Sequence, residues 1–415
     1  MNPFSPEHEE LRESIRRFVE TELRPNAREW EDARWFPNDV FTRMGELGFL
    51  GLKYPEELGG QGGDYLHDAI LSEEMSRSGS GGLAAGVGAH VGIATPPVWK
   101  FGTDDQQQRY LAPAIRGEKI AALGITEPDA GSDVAGIRSM ATKVDGGWTV
   151  SGSKMFITNG VRADFVVTAV KTTREGGHGG ISFLIVDTDQ PGYEAEKIEK
   201  LGWHASDTAL IAMDEVFVPE ENLLGELDGG FKLIMANFQW ERLLMALGAT
   251  SAMQVAFDRT VQFVAEREAF GRPIGQFQVL RHRLADHATT IHAARTVTYD
   301  CLARFAAGED VTKEVTMAKL ITQRSALVNV LTQKPEIKYD AQGYAAYFAA
   351  LGRAHIEGLW LTGILVKSAG RDLLLQGKSL KPEQVPEYLA QLTQEPALRG
   401  IKFQIFALQR AVEKE

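Results

Sequence analysis

The chain has 415 residues, 44% of them apolar and 24% charged, with a formal net charge of −12. These proportions exclude a disordered or collagen-like chain, and the length exceeds what a single core holds, so two or three domains are expected. The acidic balance argues against nucleic acid or an anionic membrane as main partner, yet leaves room for a small anionic ligand held by a local cluster of donors. A single cysteine, Cys301, allows no intrachain disulfide and no thiolate metal cluster, which fits a reducing compartment, and no metal site is expected. The opening stretch "MNPFSPEHEELRESIRRFVE" is amphipathic and acidic, and no run approaches about 18 apolar residues. A cytoplasmic protein with no targeting segment and no membrane span is the expectation.

From residue 5 to about 118 the pattern is helical. "SPEHEELRESIRRFVETEL" offers Ser5 as a cap and places Leu11, Ile15, Phe18 and Val19 on one face; "FPNDVFTRMGELG" and "DYLHDAILSEEMSRSG" read as further helices. The glycine-rich "GSGGLAAGVGAH", 79–90, is not a phosphate loop, because no strand precedes it and no Gly-Lys-Ser/Thr follows it. Small residues there let helices approach closely. Near residue 120 the pattern changes: "GGWTVSGSKMFITNG", "ADFVVTAVKT", "ISFLIVDT" and "ALIAMDEVFVP" are short β-branched or aromatic runs between turns, a small antiparallel sheet or barrel. Helical periodicity returns over 230–266, 276–307 and 312–333. The fold class is α+β, with a helical domain over 1–119, a β-domain over 120–225, a helical domain over 226–375 and a helical extension over 376–415.

Three stretches carry chemistry. In "NFQWERLLMALG", 237–248, Glu241 shares a helical stripe with Ile234, Phe238, Met245 and Gly248, so its carboxylate faces an apolar interior. Two readings follow: a buried ion pair with Arg242, or a proton-transfer group whose pKa is raised by desolvation. In "ITEPDAGSD", 125–133, Pro128, Asp129 and Gly131 force a tight loop where Thr126 and Ser132 add hydroxyls beside backbone N–H groups, suited to an anionic or heteroaromatic ligand or simply to a turn. In "KMFITNG", 154–160, Phe156 offers a flat apolar face and Thr158 falls on the same side of a strand, forming either core or cofactor wall.

In this order and spacing the last two segments resemble the acyl-CoA dehydrogenase family, whose Thr-Glu-Pro-x-Ala-Gly-Ser-Asp loop and Ile-Thr-Asn-Gly strand embrace the isoalloxazine of FAD. The resemblance runs from about residue 5 to 330 and includes "PEELGGQGGDYLHDAILSEEMSR", "KLGWHASDTALIAMDEVFVPEENLLG" and "REAFGRPIGQFQ". It implies a helical domain, a β-barrel and a four-helix bundle, assembled as a homotetramer or dimer. It also implies that Thr126 and Ser132 contact flavin or the substrate's pantetheine arm in a cofactor loop shared with Ile125 and Gly131, and that Phe156 and Thr158 flank the flavin ring. Arg267 and Gln278 would hold the phosphate and adenosine half of FAD, that of a neighbouring subunit, with Phe270 packed close by; a pyrophosphate needs such fixed cationic donors. "QWERLL" looks like the helix-borne catalytic base of the isovaleryl and long-chain types, which makes Glu241 the base and Arg242 its partner in substrate binding. The implied reaction is FAD-dependent α,β-dehydrogenation of an acyl-CoA to the trans-2-enoyl-CoA, with electrons leaving to an electron-transfer flavoprotein. A flavin oxidase or monooxygenase on the same scaffold, and a catalytically silent flavoprotein, are the alternatives.

The segment 333–362 departs from the family pattern, which has a glycine-rich turn, an Arg-Asp-Ala-Arg run and then Glu-Gly-Thr. Glu357-Gly358 lies two residues out of step with that last motif and makes Glu357 the second candidate base. Divergence or compensating frameshifts would both produce such a segment. "AGRDLL", 369–374, resembles the family's closing helix again. Beyond it the chain extends about 40 residues, with Ile401, Ile405, Leu408 and Val412 on one helical stripe suited to docking on the bundle or on a neighbouring subunit.

Overall fold

The computed structural model describes residues 2–174, 177–332, 351, 354, 356–367 and 372–395. It divides into two compact units, Met1–Val330 and Leu331–Glu415. The first begins with eight helices: α1 (Pro6–Phe18), α2 (Ala27–Ala33), α3 (Asp39–Glu46), α4 (Tyr65–Met75), α5 (Gly81–Ala89), α6 (Thr95–Phe101), α7 (Asp104–Gln106) and α8 (Ala112–Ile115). Ser5 caps α1 as expected, its hydroxyl accepting from the His8 N–H while the His8 ring accepts from the Ser5 N–H. The glycines of α5 are there for close packing. A Cβ at Gly82 would lie 2.6 Å from the backbone nitrogen of Ser206, and one at Gly86 would lie 2.8 Å from the Phe36 ring.

Eight strands follow: β1 (Ala121–Gly124), β2 (Met140–Val144), β3 (Gly147–Thr158), β4 (Phe165–Lys171), β5 (Ile181–Asp187), β6 (Tyr193–Lys197), β7 (Thr208–Pro219) and β8 (Leu223–Leu224). They form one sheet in the order β6-β7-β3-β2-β4-β5-β8, with β1 added alongside β4. Of the expected small antiparallel sheet or barrel, the sheet is what forms, and it departs from that expectation in two respects. The short edge strands β6 and β8 pair only inward, so no pairing among the described residues closes the sheet, and β1 and β2 both run parallel to β4. All of β4 is buried, with Phe165, Val167 and Ala169 facing the helices' core and Val166 and Val170 facing the opposite one. Burial on both faces explains why "FVVTAV" is apolar but for Thr168, whose hydroxyl donates to the Val166 carbonyl at 3.1 Å, instead of alternating.

The first unit closes with three long helices, α9 (Gly230–Glu266), α10 (Gln278–Ala306) and α11 (Thr312–Thr332). They share a core of Trp240, Leu243, Leu247, Leu302, Val315 and Ala318. Between α9 and α10, β9 (Glu268–Ala269) and β10 (Arg272–Pro273) pair across Phe270 and Gly271, whose φ values of 53° and 73° are the two positive angles that a two-residue hairpin turn of this hand requires.

In the second unit, β11 (Leu359–Lys367) and β12 (Asp372–Ser379) form an antiparallel hairpin, and α12 (Gln384–Gln394) buries Tyr388 and Leu392 in a cluster with Leu351, Ala354 and Leu359. A fourth bundle helix closing with "AGRDLL" is therefore corrected: Asp372–Leu374 belong to β12. "LWLTGILVK" is rich in β-branched and aromatic residues, and Gly358 before it takes φ 88°, so local preference there is for a strand entered from a turn. Residues 401–412, with their apolar stripe, lie outside the described residues.

Candidate functional site

A cleft of about 290 Å³ opens where α5, the β-sheet and α9 meet, and Glu241 stands in its wall together with Ile125, Thr126, Gly131, Phe156 and Thr158. Three separated stretches singled out in the sequence thus converge on one cavity. The rest of the lining is apolar: Ala89, Ile93, Leu123, Val134, Ile157 and Phe238.

The loop after β1 is held by Glu127. Its buried carboxylate pairs with Lys154 Nζ at 2.7 Å and accepts from the backbone N–H groups of Arg138 at 2.6 Å and Ser139 at 3.0 Å. Thr126 accepts the Met155 N–H through its carbonyl at 2.8 Å, which joins the loop to β3. A Cβ on Gly131 would meet nothing within 4 Å, so the loop presents open backbone. Ser132 is exposed and outside the lining.

Phe156 departs from simple strand alternation. Met155 pairs with Leu210 and Ile157 with Ala209, so Phe156 is the extra residue of a β-bulge. It takes φ 64° and is 60% exposed, its ring standing out from the sheet. The bulge brings Phe156, Ile157 and Thr158 together to the cleft, where strict alternation would have offered only the first and third. Asn159, also at φ 64°, is buried and its amide donates to the Gly86 carbonyl at 2.8 Å, which fixes the end of β3 against α5.

Glu241 is partly buried on α9. Its Oε1 accepts from Asn237 Nδ2 at 2.6 Å. Burial pushes its carboxyl up to about 7, against the opposing pull of that hydrogen bond and of the charges on Arg242 and Lys319. Arg242 does not close an ion pair with it: the guanidinium stacks on Phe238, 4.9 Å from the ring centroid. Of the two readings of this carboxylate, the buried ion pair with Arg242 is not formed among the described residues.

Arg267, Phe270 and Gln278 are exposed at the junction of α9 and α10 and are absent from this cleft's lining. Glu357 is exposed in the turn before β11, where its carbonyl accepts from Gln384 Nε2 at 2.7 Å. Sequence reasoning missed Asn237, although its place one turn before Glu241 was a usable signal, and it passed over Glu127 and Lys154, which lie within the two quoted stretches. The apolar wall of Ala89, Ile93 and Leu123 carried no chemical signal of its own.

Three family models match in chain order: the acyl-CoA dehydrogenase N-terminal domain over residues 5–118, the middle domain over 122–216 and the C-terminal domain over 228–333. The chain is 36% identical over 314 residues to the mitochondrial isovaleryl-CoA dehydrogenase of Solanum tuberosum, spanning 75% of this chain and 76% of that one. It is 37% identical over 303 residues to the mitochondrial long-chain specific acyl-CoA dehydrogenase of Mus musculus, spanning 72% and 70%. The crystal structure of an acyl-CoA dehydrogenase from Geobacillus kaustophilus matches with a TM-score of 0.78 at 37% identity, covering 82% of this chain and 90% of that one. With the loop and strand motifs meeting in one cleft and all three domain models aligned in order, the chain belongs to the acyl-CoA dehydrogenase family.

Proposed function

We propose that the cleft receives the reacting end of an acyl-CoA thioester beside FAD, and that Glu241 removes its α-proton. FAD-dependent acyl-CoA dehydrogenation is the activity of the family; the base, the acyl group and the electron acceptor are our assignments. One observation carries the reading: Glu241 shares a cleft with Thr126, Phe156 and Thr158. The residues present fit a flavin, because the Phe156 ring stands out from its strand as an apolar face, the two threonines add hydroxyls, and Gly131 leaves the loop backbone open.

When bound, FAD supplies acceptance of the hydride from the β-carbon. The protein holds the proton. A carboxylate raised to about 7 takes an α-proton more readily than an ordinary one while a substantial share remains ionised at neutral pH. Ile93, Leu123 and Phe238 withdraw the reacting carbons from water. The product is the trans-2-enoyl-CoA. Ser132 and Arg242, beyond the lining, are assigned to the pantetheine arm, and Arg267 and Gln278 to the phosphate and adenosine half of the FAD of a neighbouring subunit. The apolar wall and the similarity to enzymes named for isovaleryl and long-chain substrates support a branched or longer acyl group. An electron-transfer flavoprotein is the proposed acceptor.

The test is an anaerobic titration of the protein's flavin absorbance with straight and branched acyl-CoA thioesters. Bleaching by the branched or longer ones is expected. A bound flavin that no thioester bleaches would overturn the reading, and rapid reaction of the reduced flavin with oxygen would move it to an oxidase.

A further inference from the structure

"TPP", residues 95–97, removes two backbone donors in succession. Ile93 lies where the π-helical turn His90–Ala94 passes into α6, and by the α-helical spacing of α6 its carbonyl would accept from the N–H four residues on. That residue is Pro97, and Pro96 precedes it, so neither offers an N–H. A donor comes from α9 instead. Asn237 Nδ2 reaches the Ile93 carbonyl at 3.2 Å and also donates to Glu241 Oε1 at 2.6 Å. Asn237 is 4% exposed, and Ile93 is itself part of the cleft wall. One buried amide therefore ties the wall of the cleft to the carboxylate inside it.

We propose that Asn237 is a positioning residue that aims the Glu241 carboxylate into the cleft and favours its ionised form. The proposal rests on Glu241 being the base; Asn237 acts through it. Among the described residues this is the hydrogen bond that Glu241 receives, and the amide's Oδ1 has no partner, so the two acceptors Ile93 and Glu241 alone orient the group. The other charges facing Glu241 are Arg242 on its own helix and Lys319 on α11, and both also favour the ionised form. Arg242 is committed to Phe238, which leaves Asn237 to set direction as well as charge.

The experiment measures kcat/KM against pH for the FAD-loaded wild type, Asn237→Leu, the isosteric Asn237→Asp, and Glu241→Gln. The base must be ionised to act, so loss of a hydrogen bond to the ionised form moves the acid limb to higher pH. A move of about one pH unit is expected in Asn237→Leu. In Asn237→Asp the move is larger, because a second carboxylate faces the first. Both variants recover toward wild-type turnover at alkaline pH. A purely structural role would instead lower kcat at every pH with the limb in place, and that result, with flavin retained, overturns the proposal. If Asn237→Leu sheds its flavin, Asn237→Ala, which removes the donor without adding bulk or charge, decides in its place. Turnover in Glu241→Gln would overturn the base assignment and this proposal together, whereas an inert Glu241→Gln beside an unshifted limb would overturn only the role of Asn237.

Discussion

At the scale of single residues, the same burial that readies Glu241 for proton transfer acts against the stability of the fold. A carboxyl raised to about 7 in the folded chain, from 4.5, favours the protonated form there. The folded state is therefore unpenalised below the unfolded value and loses stability as pH rises from there through about 7. The full penalty is on the order of 3 kcal/mol above pH 7, less whatever water still reaches the group. Glu241→Gln removes it, so the Tm of the variant should exceed that of the wild type by a margin that grows between about pH 5 and pH 8. In the same variant turnover should fall by roughly a hundredfold to ten-thousandfold with FAD retained. Equal Tm values at every pH would show the carboxylate to be hydrated. Glu127 behaves oppositely, because its partner Lys154 is fully buried. Glu127→Gln strands that ammonium and should cost about 3–5 kcal/mol, read by denaturant titration, while the double variant Glu127→Gln/Lys154→Met should recover most of the loss. A single variant as stable as the wild type would mean that the loop is held by its backbone contacts alone.

At the scale of elements, α5 is where small side chains matter most. Gly82→Ala places a methyl 2.6 Å from the Ser206 backbone, an atom that cannot swing aside. A loss of about 1–3 kcal/mol is expected by thermal melting, along with weaker flavin retention, since Ala89 at the end of the same helix lines the cleft. An unchanged melting temperature would show that α5 can shift outward freely. This helix also shows what was legible in the sequence. Glycines without a preceding strand or a following Gly-Lys could be read as packing because the signal lies within a few residues, whereas the stripe under Glu241 is buried at Ile234 but not at Met245, which is 38% exposed. The loop 125–133 and the strand 154–160 were legible for a similar reason: each carries turn or aromatic residues in a short fixed spacing. The Asn237–Ile93 hydrogen bond was not, since it joins helices far apart in the chain. The bulge at Phe156 was hidden because it depends on the register of β7. The hairpin of β11 and β12 was misread where a resemblance at 369–374 outweighed the plainly β-favouring composition of 359–367.

At the scale of the whole molecule, the turn between α9 and α10 suggests an incomplete surface. Phe270 is 95% exposed and holds φ 53°, a conformation that a bulky side chain adopts only at a cost. Its ring meets Phe277 edge-on at a centroid separation of 6.1 Å, which covers little of it. Phe263, 59% exposed, and Val279, 64% exposed, lie on the adjoining ends of the two helices. An apolar ring held outward in a strained turn, beside Arg267, a cation with no ion-pair partner among the described residues, is what a second copy of the chain would explain: the ring would pack across the interface while the cation would reach a phosphate of the neighbour's cofactor. Phe270→Asp should then lower the oligomeric mass seen by sedimentation velocity and reduce the flavin-to-protein ratio in the same preparations. Arg267→Ala should reduce the flavin ratio with the mass unchanged, because it removes a donor and leaves the packing intact. If Phe270→Asp kept both its mass and its flavin, the association would have to use another face, and Arg267 and Gln278 would lose their assigned place beside the cofactor.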